Sequence, residues 1–222
     1  LFESYLHTAF NAKGIDWVET TVGEMADHCL GKMLDKNKNK GICRPYLRNL
    51  NVQWFNVDTN DLLEMKIEPK EEARYRVEKG DLLICEGGYP GRAAIWENDE
   101  PIYFQKAIHR VRCHESIYNR WLMYFLYLSD ATKDLQKYFT GAGIQHFTGK
   151  ALKKLKIPTP PLQEAKKYLM QFNELHEEIH HLESNYNQKL TALAELKQKK
   201  NKKAFSGELT ASENNKRKEA AA

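Results

Sequence analysis

The stretch from Leu162 to Lys203 constrains the fold more than any other part of the sequence, because it contains no glycine and no proline. Its apolar residues recur at steps of three and four with one gap at Lys189, which is the spacing of one helical face. A helix of this length spans about 60 Å. Since an isolated helix would leave its apolar face in water, we predict that it pairs with another helix in a coiled coil. The predicted interface consists of Phe172, Leu175, Ile179, Leu182, Tyr186, Leu193 and Leu196.

The residues before this helix have the pattern of a domain that mixes strands and helices. Within Tyr46–Ile108 the signals are mostly those of β-strands, and the apolar run Asp81–Cys85 is typical of a buried strand. Gly87–Gly91 predicts a tight loop, because its residues allow positive φ or fix φ. The apolar spacing in Tyr118–Phe139 predicts an amphipathic helix that ends at Gly141. We expect an α+β fold: a globular domain with a mixed or antiparallel sheet and packed helices, followed by a long coiled-coil helix.

Four segments follow from these signals. Residues 1–13 are predicted to be the end of a preceding helix, and residues 14–157 to form the globular domain. Residues 158–203 form the long helix, and residues 204–222 a C-terminal tail. Because the chain does not begin with Met, we expect its numbering to start inside a longer gene product.

Composition narrows the class of protein. A hydrophobic fraction of 41%, with 11% aromatic residues, is enough for a packed core. No apolar run reaches the roughly 18 residues that a membrane span needs, and the N-terminus lacks the pattern of a secretory signal. The four cysteines contain no C-x-x-C pair, which favours free thiols in a reducing cytoplasm. The cysteines are Cys29, Cys43, Cys85 and Cys113.

The sequence His176–His180 fits the H-E-x-x-H pattern of zinc peptidases, with Glu177 as the base. Ile179 lies inside this motif at a position of the predicted coiled-coil interface, and beyond Glu195 no third ligand is evident. No Ser/His/Asp order or carboxylate cluster stands out either. We therefore favour a binding role and keep a zinc metallopeptidase acting through His176 and His180 as an alternative.

Several segments, taken in order, resemble the target recognition domain of type I restriction-modification DNA specificity subunits. The entry to the long helix, with its Ile-Pro-x-Pro-Pro-Leu pattern, is similar to that family's conserved helix, although Ala165 replaces the usual Gln. The resemblance covers nearly the whole chain. The segments are Leu83–Arg92, Phe104–Arg112, His146–Leu152, Ile157–Glu164 and Lys203–Thr210.

This resemblance implies a non-catalytic protein of the bacterial or archaeal cytoplasm that reads double-stranded DNA. The family's subunits have two recognition domains separated by two long antiparallel helices, so this chain resembles a C-terminal half or a half-size version. A half-size chain would form a homodimer through the long helix and read an inverted repeat. The helices would also dock the methyltransferase subunit, which holds S-adenosylmethionine and methylates adenine. A restriction subunit, where the complex has one, would carry the nuclease. This chain itself would need no cofactor and no metal.

Under this interpretation, the glycine-rich loop and two other polar segments reach base edges, and lysine and arginine side chains contact phosphates. A turn with a purely structural role is an equal explanation for Gly87, Gly88 and Gly91. Two further alternatives are a DNA-binding protein and a coiled-coil adaptor, both outside restriction-modification. The candidate DNA-binding residues are Lys32, Lys36, Lys38, Lys40, Arg44, Arg48, Tyr89, Arg92, Gln105, Lys106, Gln145, His146 and Thr148.

Overall fold

The computed structural model of the chain describes residues 2–12, 14–35 and 39–205. It divides into two units, Leu1–Phe172 and Asn173–Ala222. The first unit is globular and carries all the strands of the described chain. The second unit is, in its described part, the continuation of one long helix.

The elements run in the following order. The helices are α1 (Phe2–Asn11), α2 (Val22–Met25), α3 (Pro69–Tyr75), α4 (Ile117–Ala131), α5 (Gly149–Lys153) and α6 (Leu162–Phe205), with 3-10 turns at Asn49–Asn51 and Asp134–Tyr138. The strands are β1 (Val18–Thr21), β2 (Ala26–Leu30), β3 (Ile42–Leu47), β4 (Val52–Gln53), β5 (Asn56–Val57), β6 (Leu63–Ile67), β7 (Arg76–Val77), β8 (Leu82–Cys85), β9 (Ala93–Ile95), β10 (Ile102–Phe104), β11 (Ile108–Cys113) and β12 (Lys156–Thr159).

Two four-stranded sheets form the centre of the globular unit. The order β2-β11-β8-β9 is antiparallel throughout. The order β6-β3-β10-β7 is mixed, because β10 pairs parallel with β3 and antiparallel with β7. The predicted α+β fold with mixed and antiparallel sheets and a long C-terminal helix is therefore confirmed.

The predicted buried strand at Asp81–Cys85 is β8, and all four of its residues are buried. Side chains alternate between the two faces of a strand. Leu83 and Cys85 pack in one cluster with Phe104 of the other sheet, while α4 packs on the strands β8, β9 and β11. Because both faces of β8 are covered, the run is continuously apolar instead of alternating.

The predicted helix Tyr118–Phe139 was wrong in its C-terminal part. The helix α4 ends at Ala131, and Lys133 adopts a left-handed conformation with φ of 65°. A 3-10 turn follows and buries Leu135, whose apolar character had extended the helical pattern. Gly141 does not end the helix, because it lies in a loop closed by hydrogen bonds between Thr140 and His146.

The expectation that Tyr46–Ile108 is mostly β overlooked α3. Glu68 precedes the helix, Pro69 stands at its first position, and the Glu71 carboxylate accepts a hydrogen bond of 3.0 Å from the Glu68 backbone N–H. A proline at the start of a helix and a glutamate three residues after the cap are both helix-start signals. The signals were present, but the surrounding strand pattern outweighed them.

The first helix and the start of α6 close one side of the globular unit. Phe10 of α1 lies 4.5 Å from Trp121 of α4, measured between ring centroids, and Phe172 of α6 stacks on the same Trp121 at 5.9 Å. The strands β1 and β12 pair antiparallel, with Val18 opposite Thr159. The compact unit thus extends to Phe172, beyond the proline-rich stretch where the sequence pattern changes.

Candidate nucleic-acid interface

The glycine-rich loop connects β8 to β9. Gly88 and Gly91 have φ angles of 79° and 88°, and the Gly91 N–H donates to the Cys85 carbonyl at 2.9 Å. A Cβ atom on Gly88 would lie 2.1 Å from Asn49 Nδ2, and one on Gly91 would lie 2.2 Å from Leu135 Cδ2. The structural explanation therefore accounts for both glycines, because each needs a left-handed φ and each is approached closely by a side chain.

Two side chains of this loop, Tyr89 and Arg92, make different contacts with the rest of the domain. The Tyr89 ring is 45% exposed, and its hydroxyl donates to Asp130 at 2.8 Å, which raises the pKa of Tyr89. The Arg92 guanidinium lies 5.3 Å from the centre of the Tyr89 ring and donates to the Asn49 carbonyl at 3.1 Å. Arg92 thus fastens the loop to the 3-10 turn that begins at Asn49, while Tyr89 remains partly exposed to solvent.

Backbone hydrogen bonds bring three candidate segments to one place. The Phe147 N–H donates to the Glu86 carbonyl at 2.7 Å, and the Glu86 N–H donates to the Ala107 carbonyl at 2.8 Å. A Cβ atom on Gly87 would lie 3.1 Å from His146 Nδ1. Residues 87–92, 105–106 and 145–148 therefore lie side by side, and we call these three segments the reading edge.

Each segment of the reading edge presents polar groups. Lys106 is exposed in the tight turn between β10 and β11, where Ala107 has a φ of 88°. Gln145 and His146 are exposed, and Gln105 is half-buried. Thr148 caps α5, because its hydroxyl accepts a hydrogen bond from the Ala151 N–H at 3.3 Å.

The remaining basic candidates differ in whether an acidic side chain already pairs with them. Lys32 is 6% exposed, and its ammonium is already paired with the Glu71 carboxylate inside the domain. Burial alone would raise the pKa of Glu71, but hydrogen bonds from Lys32 and from the Glu68 backbone leave it below its usual range. A phosphate contact by Lys32 therefore requires this pair to open, and it stays a prediction.

The two candidate arginines on and after β3 are also paired. Arg44 contacts Glu72 at 3.2 Å, and Arg48 contacts Asp61 at 2.6 Å. Lys40 is exposed. Lys36 and Lys38 lie outside the described residues. DNA contact by each of these side chains stays a prediction.

Sequence reasoning missed Asn49, which holds the glycine-rich loop in place. Its side chain donates to the Gly87 carbonyl at 3.2 Å, and its carbonyl accepts from Arg92. Only the fold shows this role, because nothing in the sequence near Asn49 indicates a contact with a loop 38 residues away.

The predicted coiled-coil residues fall into three groups by their exposure. Phe172 is fully buried and packs against Trp121 and Tyr124, so it belongs to the core of the globular unit. Leu175 and Ile179 are half-buried. The others expose more than half of their surface and form, with Leu190, an apolar stripe that we call the seam. The seam consists of Leu182, Tyr186, Leu190, Leu193 and Leu196.

Neither a metal-binding cluster nor a membrane-spanning helix is found among the described residues. Among those residues, no group of three His, Cys, Asp or Glu side chains is placed to hold a metal ion, so His176 and His180 lack a third ligand there. No described helix combines the length and the apolar character that crossing a bilayer requires. All four cysteines are free thiols, and burial raises the pKa of Cys85 to about 11 and that of Cys113 to about 12.

Comparisons with known proteins agree on one family. The family model for the type I restriction modification DNA specificity domain matches residues 14–192. The specificity subunit of the type I restriction enzyme EcoKI from Escherichia coli (strain K12) is 26% identical over 184 residues, which cover 79% of this chain and 39% of that protein. The chain thus spans about two fifths of the length of this curated relative.

Solved structures share the fold at low sequence identity. A chain from a structure of the type I restriction-modification system, concerned with complex assembly and conformational transition, matches with a TM-score of 0.63 at 17% identity. The HsdS subunit from Thermoanaerobacter tengcongensis matches with a TM-score of 0.58 at 18% identity. Each match covers 82% of this chain and 44% of the other. The S subunit from M. genitalium matches with a TM-score of 0.51 at 16% identity, covering 80% of this chain and 48% of that one.

Proposed function

We propose, from the premise that this chain belongs to the type I restriction-modification DNA specificity family, that it reads one part of a bipartite DNA target and directs an adenine methyltransferase to it. In this proposal the chain performs no covalent chemistry. S-adenosylmethionine binds to the methyltransferase partner, and this chain requires neither a cofactor nor a metal. The complex acts in the cytoplasm of a bacterium or archaeon.

The reading edge is the observation that carries this proposal. Three segments distant in sequence are joined by backbone hydrogen bonds, which fix the relative positions of their polar side chains. Rigid placement matters because base recognition depends on hydrogen bonds of defined geometry to the groove edges. The glutamines Gln105 and Gln145 supply the amide groups that pair with adenine, and Tyr89 and His146 supply further polar contacts.

Basic side chains take the second role in this proposal. Lys106 and Lys40 are exposed and suit phosphate contacts, which set the register of the protein on the duplex without reading its sequence. Arg92 supports the loop through Asn49 and Tyr89 and contributes to reading by holding Tyr89 in place. Arg44, Arg48 and Lys32 would reach phosphates only after leaving their carboxylate partners.

The seam supports a proposal about partners. Five large apolar side chains lie exposed along α6, and water contact at these positions costs about 1.5–3 kcal/mol per side chain relative to full burial. A second copy of the chain would bring an identical seam, and a two-fold pair of reading edges would recognise an inverted repeat with a spacer. The paired helices would then dock the methyltransferase subunit and, in a restricting complex, the restriction subunit.

The test combines the chain with its methyltransferase subunit and S-adenosylmethionine on random-sequence DNA, followed by sequencing of the methylated adenines. We expect one split, symmetric motif. The variant Gln145→Ala should change the motif at one position in each half, while Lys79→Gln, at the other end of β8, should leave the motif unchanged.

Three results would contradict the proposal. Methylation without a motif would remove the reading role. No methylation, with salt-independent binding to DNA but normal self-association, would favour a coiled-coil adaptor. Sequence-specific binding that never supports methylation would favour a DNA-binding protein outside restriction-modification.

A further inference from the structure

A surface pocket of about 530 Å³ lies next to the reading edge and contains none of the candidate DNA-binding residues named from the sequence. It is formed where β2 and β11 meet the short helix α5 and the side chain of Arg74 from α3. We call it the basic pocket. Its principal residues are His28, Arg74, His109, Gly149, Lys150 and Lys153.

The charged side chains that line the basic pocket are all cationic. Arg74, Lys150 and Lys153 are exposed, and none of them forms an ion pair with another residue of the described chain. No carboxylate lines the pocket. This contrasts with Lys32, Arg44 and Arg48, which are all paired with acids. A concave surface with unpaired cations attracts anions.

The floor of the basic pocket is built from two imidazoles and a glycine. The ring centroids of His28 and His109 lie 6.0 Å apart. His109 is fully buried, its Nε2 donates to the Phe147 carbonyl at 3.0 Å, and its Nδ1 has no partner among the described residues. A Cβ atom on Gly149 would lie 3.1 Å from His28 Nε2 and 3.5 Å from His109 Cε1. The missing side chain of Gly149 therefore keeps the floor open.

The connection to the reading edge is covalent and short. Thr148 ends the third segment of the reading edge, and Gly149 and Lys150 follow it directly. The Phe147 backbone joins both places, because its N–H donates to Glu86 and its carbonyl accepts from His109. An anion held in the basic pocket would thus be fixed relative to Gln145 and His146.

We propose that the basic pocket holds one backbone phosphate of the bound duplex, a role that rests on the DNA recognition proposed above. A phosphate in this position anchors the register of the reading edge on the DNA. Lys150 and Lys153 supply the charge and Gly149 the space.

The test measures binding of labelled target and scrambled duplexes by fluorescence anisotropy between about 50 and 200 mM salt, the range over which phosphate contacts change affinity strongly. The protein is the chain together with its methyltransferase subunit. For the double variant Lys150→Gln/Lys153→Gln, we expect affinity to fall by the same factor on both duplexes. The slope of log K against log salt should become shallower by about 1.

A matched control removes two positive charges elsewhere. Lys79→Gln/Arg120→Gln changes residues that pair with Asp99 and Glu97, and it should leave the salt slope unaltered. Gly149→Ala retains every charge but places a methyl group in the floor of the pocket, close to His28 Nε2. We expect weaker binding to both duplexes from Gly149→Ala, with the salt slope closer to that of the wild-type protein than to that of the double variant.

The outcomes separate this site from the proposed function. If the wild-type protein binds the target specifically but the double variant keeps its salt slope, the basic pocket holds no DNA phosphate and the proposed function stands. If the wild-type protein binds neither duplex, both proposals fall. Inorganic phosphate is titrated separately while the His28 ring signals are followed by NMR. Saturable binding of phosphate, together with an unaltered DNA salt slope, would replace the proposal with a site for a free anion.

Discussion

Within α6, the segment Leu162–Phe172 and the segment after it place apolar residues at the same helical spacing but bury them to different degrees. Ala165, Leu169 and Phe172 are all buried. The seam residues, from Leu182 to Leu196, expose between 54% and 64% of their surface. A single periodic pattern therefore continues across two different environments.

The difference lies in what covers each segment. Phe172 packs against the rings of Phe10, Trp121 and Tyr124, which belong to the globular unit. At the seam, by contrast, the described residues leave more than half of each apolar side chain exposed. Periodicity identifies the apolar face of a helix, but the partner of that face has to come from elsewhere. The fold of this chain covers the buried segment, whereas the partner proposed above would cover the seam.

The largest loss of stability should come from truncating a buried side chain in the segment Leu162–Phe172. Phe172→Ala removes a fully buried ring, and we expect the free energy of unfolding to fall by about 3–5 kcal/mol. Chemical denaturation followed by tryptophan fluorescence measures this, because Trp121 touches the removed ring. The matched substitution Leu193→Ala lies in the seam and should change the same quantity little. Equal losses for both variants would contradict the distinction between the two segments.

The second effect concerns protonation of a buried histidine. Burial lowers the pKa of His109 from 6.5 to about 4, so the folded protein keeps this ring neutral. Between these pH values the unfolded chain binds a proton that the folded protein does not. The free energy of unfolding should therefore decrease as the pH falls from 6.5 to 4, and His109 contributes about 3 kcal/mol of this decrease. Denaturation curves measured at intervals across this range would show the decrease.

Two variants isolate this contribution. His109→Gln retains a donor for the Phe147 carbonyl and should remove the larger part of the decrease. His28, whose pKa is also lowered by burial and by Lys153, contributes in the same direction. His181→Gln removes an exposed histidine from the outer part of α6 and should leave the curve unaltered. The assignment to His109 fails if the wild-type protein and His109→Gln lose stability in parallel.

The third effect concerns two ion pairs, of which one is more buried than the other. The side chains of Lys32 and Glu71 are 8% and 25% exposed, and those of Arg44 and Glu72 are 41% and 35% exposed. Glu71→Gln leaves a buried ammonium without its counter-charge, and we expect a loss of about 2 kcal/mol, below the range for a fully buried pair because Glu71 is partly exposed.

The paired control is the exposed ion pair. Glu72→Gln should cost at most about 1 kcal/mol, as is usual for surface pairs. Thermal unfolding of the two variants beside the wild-type protein decides the order. A larger loss for Glu72→Gln would mean that burial does not govern these pairs.

Sequence reasoning recovered the features that local patterns encode. The buried strand β8, the tight loop at Gly87–Gly91 and the continuous helix α6 each follow from an apolar run, from glycine and proline, or from helical spacing. The helix boundary after α4 was wrong because Leu135 is buried by a 3-10 turn at a position that also fits a helix. Local patterns predict which residues are buried better than they predict the helix, strand or turn in which those residues lie.

The candidate site was less predictable because its geometry is made by distant residues. Asn49 supports the glycine-rich loop, and Phe147 links that loop to His109, through contacts that span 38 residues along the chain. The sequence suggested Lys32 as a DNA contact, yet its ammonium is buried in an ion pair with Glu71 from α3. Since α3 itself was not predicted, neither was this pair.

The smallest effect on the globular unit should come from the seam, and this prediction tests the comparison most sharply. Leu193→Ala should change the free energy of unfolding of the globular unit by no more than about 0.5 kcal/mol at dilute concentration, because the side chain is exposed. Self-association should nevertheless weaken at least tenfold, since each copy in a symmetric pair loses an apolar contact and about 1.4 kcal/mol corresponds to a factor of ten. Sedimentation velocity over a concentration series measures this weakening.

Gln188→Ala, which shortens an exposed side chain outside the seam, should leave association unaltered. If Leu193→Ala associates as the wild-type protein does, a second copy does not cover the seam, and its partner is a different helix.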